Sequence, residues 1–301
     1  MFGFLNLDKP LGLTSRRAVD KIQRQVRPHK LGHTGTLDPL ATGVLPLAIG
    51  PATRLTRFLL EMPKTYRGTY RLGLSSNTDD LEGELTEVGG AERVTRSGLE
   101  SVLDGFRGPI EQVPPEYSAV KVDGRRAYRL ARKGQAVQLQ PRRVQIHRLE
   151  LLRFEPPEFE LLVECSSGTY LRSLGRDIGQ RLQTAAVMTR LVRTTVGPFR
   201  LDQALPLEQI ETDGVAAHLI PPQSALPQIP SYSIPAEWVD RLAVGGLIAT
   251  REMDRPPNDA RRLLAIDPQG RLVAILYRYR PDFFKPELNF STYHDSKNRD
   301  Q

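Results

Sequence analysis

The apolar positions of the chain recur with two periods, and the change from one to the other marks out the elements. Behind Thr14 and Ser15, either of which can cap a helix, Ala18, Val19, Ile22 and Val26 fall at helical spacing. Leu55, Phe58 and Leu59 do the same within residues 53–60, as do Leu99, Val102, Leu103 and Phe106 within residues 95–106. Another helix is expected after Thr169, read as its cap, with Leu171, Leu174, Ile178 and Leu182 inward and Tyr170 and Arg172 in its first turn. Residues 64–74, KTYRGTYRLGL, alternate instead. Tyr66, Tyr70, Leu72 and Leu74 share one face, and Thr65, Arg67, Thr69 and Arg71 the other, which predicts a half-buried strand. Residues 2–7 read as a short apolar strand ending at Asp8-Lys9-Pro10. Residues 144–154 and 159–166 read as an antiparallel pair, and residues 187–200 as a further strand-like run.

Segments without a period lie between these. Residues 75–83 form a polar, acidic loop, and residues 108–141 are irregular, with a basic helix around residues 128–133. Residues 220–235 hold five prolines and few charges, the composition of a linker. An all-β pattern follows at 247–253, 261–267 and 271–279, with a turn at Pro268-Gln269-Gly270. The expected division is a domain at 1–223 carrying the basic insertion 108–141, a small β domain at 224–290 and a disordered tail at 291–301.

Composition narrows the class. With 39% hydrophobic and 26% charged residues, the 301-residue chain reads as a soluble globular protein with room for a substantial core. No apolar run is long enough for a membrane span, and MFGFLNLDKP lacks the layout of a signal peptide. The single cysteine, Cys165, excludes an intrachain disulfide and fits a reducing, cytoplasmic setting. Within the strand-like FELLVECS it reads as a buried structural thiol. The net charge of +7 fits a polyanionic partner, and its distribution sharpens this. Residues 121–148 carry nine Lys or Arg against one acid, Asp123. Lys121, Arg125, Arg126, Arg129, Arg132 and Lys133 are the candidates for phosphate contacts, and Tyr117 and Tyr128 for stacking on bases.

The five scattered histidines and one cysteine make no ligand set of recognisable spacing, so no metal is expected. GxSxG, a phosphate-cradling P-loop and a redox-cofactor fingerprint are all missing. Carboxylate chemistry remains, and residues 32–50, GHTGTLDPLATGVLPLAIG, hold the candidate. Asp38 is the one carboxylate there. Pro39 pushes it toward an extended conformation, and Gly32, Gly35 and Gly43 supply backbone freedom around it. Asp-Pro alone is an ordinary turn starter. GHTGTLDPLATGVLP, however, matches without a gap the signature of the TruB family of tRNA pseudouridine synthases. NLDKPLGLTS at 6–15 resembles that family's N-terminal box, KTYRG at 64–68 its second, SSGTYLRSLGRDIG at 166–179 its third and TRLVRTTVGPF at 189–199 its last. VPPEYSAVKVDGRRAY at 113–128 resembles the start of its RNA-clamping insertion. The match covers roughly residues 2–210, in order. One departure is Ser75-Ser76-Asn77-Thr78, where the family usually reads Arg-Thr-Asp-Thr.

The resemblance implies an α+β pseudouridine synthase fold with a mixed, mainly antiparallel central sheet, and a small C-terminal β domain of PUA type. It implies isomerisation of uridine to pseudouridine at position 55 in the T loop of tRNA. Atoms are neither gained nor lost, so no cofactor is required. No obligatory protein partner is expected, and a monomer is the default. Asp38 would be the catalytic carboxylate, attacking C1′ or C6 or abstracting the 2′ proton. Arg172 would pair with it and favour its ionised form. Tyr66 would stack on the uracil and is a candidate base at C5, with Tyr170 and Leu191 walling the base in. His33 would fill the space left when the uridine flips out. Lys9 would support the Asp38 loop rather than catalyse. Each residue also has a plain structural reading: Tyr66 and Leu191 as core, Tyr170 and Arg172 as first-turn residues, His33 as a turn cap. Their joint occurrence in the family's order outweighs it. Three rivals remain: the same chemistry guided by RNA and protein partners, a non-catalytic RNA chaperone, and a carboxylate hydrolase, which the lack of DxD makes remote.

Overall fold

A computed structural model describes every residue except 119, 123, 128–129, 131–138, 255–258 and 296–301. β1 (Gly3–Lys9) outruns its apolar stretch because Asp8 and Lys9 pair with Val44 and Gly43. In α1 (Ser15–Val26) the Thr14 hydroxyl accepts from the Arg17 amide at 3.1 Å, and the four expected apolar residues are buried. β2 (Leu31–His33) then pairs with β3 (Ala41–Ile49). The helix expected over residues 53–60 is half 3-10, Gly50–Leu55, and half α2 (Thr56–Glu61). β4 (Lys64–Leu72) alternates as expected but stops at Gly73, whose φ of +80° turns the chain. Leu74 therefore belongs to β5 (Leu74–Ser76), which pairs with β6 (Leu85–Glu87). In α3 (Arg96–Asp104) Thr95 is the cap.

The stretch expected to be irregular opens with a strand, β7 (Gly108–Gln112), and contains the small hairpin β8 (Lys121–Val122) and β9 (Arg125–Arg126). β10 (Arg142–Glu155) and β11 (Glu158–Cys165) form the expected antiparallel pair. α4 (Leu171–Arg181) follows. Its N-cap position is Tyr170, because the Thr169 hydroxyl instead donates to the Ser166 carbonyl at 3.0 Å. β12 (Ala186–Val196), β13 (Phe199–Arg200), β14 (Leu205–Pro206) and α5 (Leu207–Asp213) complete the first sheet and its cover.

That sheet runs β14-β1-β3-β12-β4-β11-β10-β7, with β13 on β12 and β2 on β3. Only β1–β14 and β3–β12 are parallel; the sheet is mixed and mainly antiparallel. On one face, residues of α1, α3, α4 and α5 close a core with Leu5, Leu45, Leu47, Tyr66, Tyr70, Phe159 and Leu161. The other face of β1 and β3, through Phe4, Val44 and Ala48, is covered as well. Burial on both faces explains why β3 reads as a continuous apolar run while β4 alternates.

A second sheet, β15 (Ser231–Ser233), β17 (Arg262–Ile266), β18 (Leu272–Arg280), β19 (Phe283–Asn289) and β16 (Ile248–Ala249), lies in that spatial order. α6 (Ala236–Ala243) packs Trp238 and Leu242 into its core. Three expectations fail here. Of the strand-like run at 247–253 only Ile248–Ala249 pairs in the sheet, and Thr250–Glu252 is 3-10. The Pro-rich stretch is no free linker: Ile220 and Phe4 exchange backbone hydrogen bonds at 2.8 Å, and Ala225, Leu226 and Ile229 are buried. The predicted tail is ordered at its start. Ser291 is buried and α7 (Thr292–Asp295) follows; residues 296–301 lie outside the described residues.

Candidate active site

The Asp38 loop spans from β2 to β3, and the N-terminal segment holds it on both sides. Before Asp38, the buried Ser15 hydroxyl accepts from the Leu37 amide at 2.8 Å and donates to its carbonyl at 3.0 Å. After it, the Pro39 carbonyl accepts from the Gly12 amide at 2.9 Å. The Gly12 turn is in turn gathered by Lys9, whose buried ammonium donates to the carbonyls of Pro10 and Leu13 at 2.8 and 2.6 Å. Lys9, Gly12 and Ser15 thus give a physical content to the box at residues 6–15: they fix the backbone that carries Asp38. Desolvation pushes the Lys9 amine down to about 8, against the pull of Asp38.

Arg172 stands in the first turn of α4 and is 7% exposed. It donates to Asp38 Oδ2 at 3.0 Å, to the Thr78 carbonyl at 2.9 Å and to the Tyr117 carbonyl at 3.1 Å, and its Nε lies 3.5 Å from Asp80. Asp38 is 40% exposed and Asp80 only 2%. The guanidinium therefore bridges an inner carboxylate, already satisfied by the Thr78 hydroxyl at 2.5 Å and the Glu82 amide at 3.0 Å, and an outer one open to a substrate. The planar guanidinium, fixed from within by Asp80 and two backbone carbonyls, orients the outer carboxylate.

Tyr66 on β4 is buried, and its strand neighbours are Val163 and Arg193. Burial raises its pKa, although the nearby Arg193 charge pulls the other way. A buried neutral phenol suits stacking better than the role of a free base, which qualifies the expectation for C5. Leu191 is buried on β12 opposite Ala41 and Gly68, on the same side of the sheet as Tyr66. Tyr170 is half-buried, and the Gln112 side chain clasps its backbone from both sides, at 2.8 and 3.0 Å. His33 is half-buried with Nδ1 accepting from the Gly35 amide at 3.4 Å; burial, Arg193 and Arg16 lower its pKa, keeping the ring neutral.

The described residues thus bring Asp38 and Arg172 into contact and set Tyr66 and Leu191 on the sheet face that carries them. The basic insertion is different. Arg129, Arg132, Lys133 and Tyr128 lie outside the described residues, and for Lys121, Arg125 and Arg126 only the backbone hairpin is described. Cys165 is buried, its thiol pushed up to about 11, as expected of a structural thiol. Among the described residues, no three His, Cys, Asp or Glu side chains gather as metal ligands.

Sequence reasoning missed Asp80, Thr78, Ser15, Gln112 and Arg193. Asp79-Asp80 was the only local signal for the first, and it reads equally as a solvated turn. The Ser75-Ser76-Asn77-Thr78 departure falls on this turn. Arg172 takes a backbone carbonyl from it, so the side chains can vary without losing that contact.

A mixed, mainly antiparallel sheet with helices closing one face is the fold of a pseudouridine synthase. Residues 23–171 match the N-terminal domain of the TruB family pseudouridylate synthases, and residues 172–224 the tRNA pseudouridylate synthase B C-terminal domain. The chain is 46% identical over 252 residues to tRNA pseudouridine synthase B of Gloeobacter violaceus, covering 81% of this chain and 86% of that protein. It is 40% identical over 303 residues to the protein of the same name from Geobacillus thermodenitrificans, covering 95% and 98%. Among solved structures, a chain of a Cbf5-Nop10-Gar1 complex is similar with a TM-score of 0.68 and 27% identity, over 92% of this chain and 78% of that one. The chain belongs to the TruB family of pseudouridylate synthases and is an isomerase.

Proposed function

We propose that the protein converts uridine to pseudouridine at position 55 in the T loop of tRNA, with Asp38 as the catalytic carboxylate acting on a flipped-out base. The observation that carries this is the half-exposed Asp38 held 3.0 Å from the buried Arg172 on a loop pinned from both sides. The N1–C1′ bond breaks, the uracil turns in place, and C5 bonds to C1′. One C5 proton is lost and one N1 proton gained. A carboxylate suits attack at C1′ or C6, or removal of the 2′ proton, because it is both a nucleophile and a tolerable leaving group. Arg172 pairs with it and aims it while the base excludes water. Tyr66 offers a ring on which the uracil stacks, Leu191 and Tyr170 wall the base in, and His33 occupies the place that the flipped nucleotide leaves.

The basic insertion 108–141, with Lys121, Arg125, Arg126, Arg129, Arg132 and Lys133, takes the phosphates of the T stem in this reading, and the C-terminal sheet acts as a PUA-like second RNA contact. The enzyme works as a cytoplasmic monomer without an obligatory protein partner. No helix of the described residues is long and apolar enough to cross a membrane.

The test is chemical. Wild type and Asp38→Asn are incubated with an unmodified tRNA transcript, and pseudouridine is mapped by carbodiimide labelling and primer extension. One wild-type stop at the T-loop uridine, lost in the variant, is the expected result. Product formed by Asp38→Asn sinks the assignment of the carboxylate. No product from either protein, with tight tRNA binding retained, favours a partner-dependent or chaperone role.

A further inference from the structure

One buried cation takes no part in the site as drawn so far. Arg193 is 1% exposed and heads the fully buried side chains by volume. It has no ion pair among those of the described residues. Its guanidinium is spent on neutral groups instead. Nε donates to the Val44 carbonyl at 2.7 Å and Nη2 to the Gly35 carbonyl at 3.2 Å. A buried charge satisfied only by dipoles is costly for a fold, and apolar replacements of such groups are commonly neutral or stabilising. Its place in the sheet shows what the cost maintains. β12 lies between β3 and β4, and Arg193 pairs with Gly43 on one side and Tyr66 on the other. Gly35 and Val44 lie three residues before and six after Asp38, so one side chain ties both limbs of the Asp38 loop to the strand that pairs with Tyr66.

We propose that Arg193 is a positioning residue for catalysis: it sets the distance between the Asp38 carboxylate and the Tyr66 ring, and so the slot into which the uracil must fit. The inference rests on the reading in which Asp38 acts on a base stacked against Tyr66. Arg193 makes no ion pair with Asp38 among those of the described residues; it acts through the loop backbone and through its place beside Tyr66 in the sheet. A carboxylate displaced by about 1 Å from its attack geometry loses on the order of 100-fold in rate, while the RNA-binding surface is unaffected.

The experiment uses the full-length protein and compares wild type, Arg193→Lys, Arg193→Gln, Tyr66→Phe, Asp38→Asn and the double variant Arg193→Lys/Tyr66→Phe. Three quantities are read for each: the cooperativity of urea unfolding, the dissociation constant for the tRNA transcript, and the single-turnover rate of pseudouridine formation. The expected result is that both Arg193 variants fold cooperatively and bind tRNA within about threefold of wild type, yet react on the order of 100-fold more slowly. Because both residues shape one slot, the loss in the double variant is expected to fall short of the product of the two single losses. A merely structural role predicts weaker binding and rate losses that multiply. The proposal is overturned if either Arg193 variant reacts within about threefold of wild type, if the losses multiply, or if neither variant folds, which makes the residue structural. Activity in Asp38→Asn overturns the underlying reading; an inactive Asp38→Asn beside fully active Arg193 variants overturns this inference alone.

Discussion

Asp80 shows how much a buried arginine depends on its inner partner. Arg172 is buried between two carboxylates, of which only Asp38 can be spared to a substrate. Removing Asp80 strands part of the guanidinium charge and the Thr78 hydroxyl. Asp80→Ala is expected to cost on the order of 3 kcal/mol in urea unfolding. Lys64 gives a second test at this scale. Its ammonium is buried and donates to the carbonyls of Leu60 and Met62 at 2.8 and 2.7 Å. Desolvation, helped by Arg193, pushes it down to about 8 from an ordinary 10.5. Between those values the unfolded chain binds more protons than the folded one, so this group makes stability rise with pH. Relative to Lys64→Met, wild type is therefore expected to gain stability as pH rises from about 8 to about 10.5, read by urea unfolding of both proteins. A difference that stays flat across that window would show that the folded lysine titrates normally. Of the residues around Asp38, the ones named by their motifs were legible in the sequence, while Asp80 and Arg193 were not, since an acid in a polar turn and an arginine in a strand carry no signature of burial.

At the scale of elements, Gly43 sets how closely β3 approaches β12 behind the Asp38 loop. It has φ of +98°, and a Cβ there would stand 2.3 Å from the Arg193 backbone carbonyl. β3 and β12 run parallel at this point, and their close approach brings the Asp38 loop alongside the strand of Leu191 and Arg193. Gly43→Ala is expected to destabilise the protein by about 3 kcal/mol and to lower activity in the fraction that remains folded, measured by urea unfolding and pseudouridine formation. A variant as stable as wild type would mean that β12 can withdraw from β3 freely. Periodicity found α1, α3, β4 and the β10–β11 hairpin because each hides one face or one stripe. It missed β7, whose alternation is short and interrupted by Pro109, and it extended β4 past Gly73 because Leu74 keeps the phase although the backbone has turned.

For the molecule as a whole, the two sheets meet through shared apolar packing. Phe4, Val44 and Ala48 of the first and Leu264, Leu272 and Ile275 of the second belong to one cluster with Ile229 and Phe290. Phe290 lies against Phe2 with ring centroids 5.0 Å apart and planes tilted by 40°, and Arg54 lies over its ring at 5.2 Å. Phe290→Ala is expected to cost about 3–5 kcal/mol and to change a single thermal unfolding transition into two, monitored by calorimetry. A variant that melts as wild type does would show that the sheets are held together elsewhere.

The sequence by itself determined α1, α3, α4 and the alternating strands, and its resemblance to the family singled out Asp38 and the order of the boxes. The elements depend on neighbours a few residues apart, whose side chains share one face by the geometry of helix and strand. Only the tertiary structure decided that a Pro-rich stretch packs rather than links, that Asp80 backs Arg172, and that Arg193 spans the Asp38 loop and Tyr66. Those contacts join residues far apart along the chain. Burial in three dimensions makes them matter, because a charge or backbone group removed from water must find its partner wherever the fold has placed one.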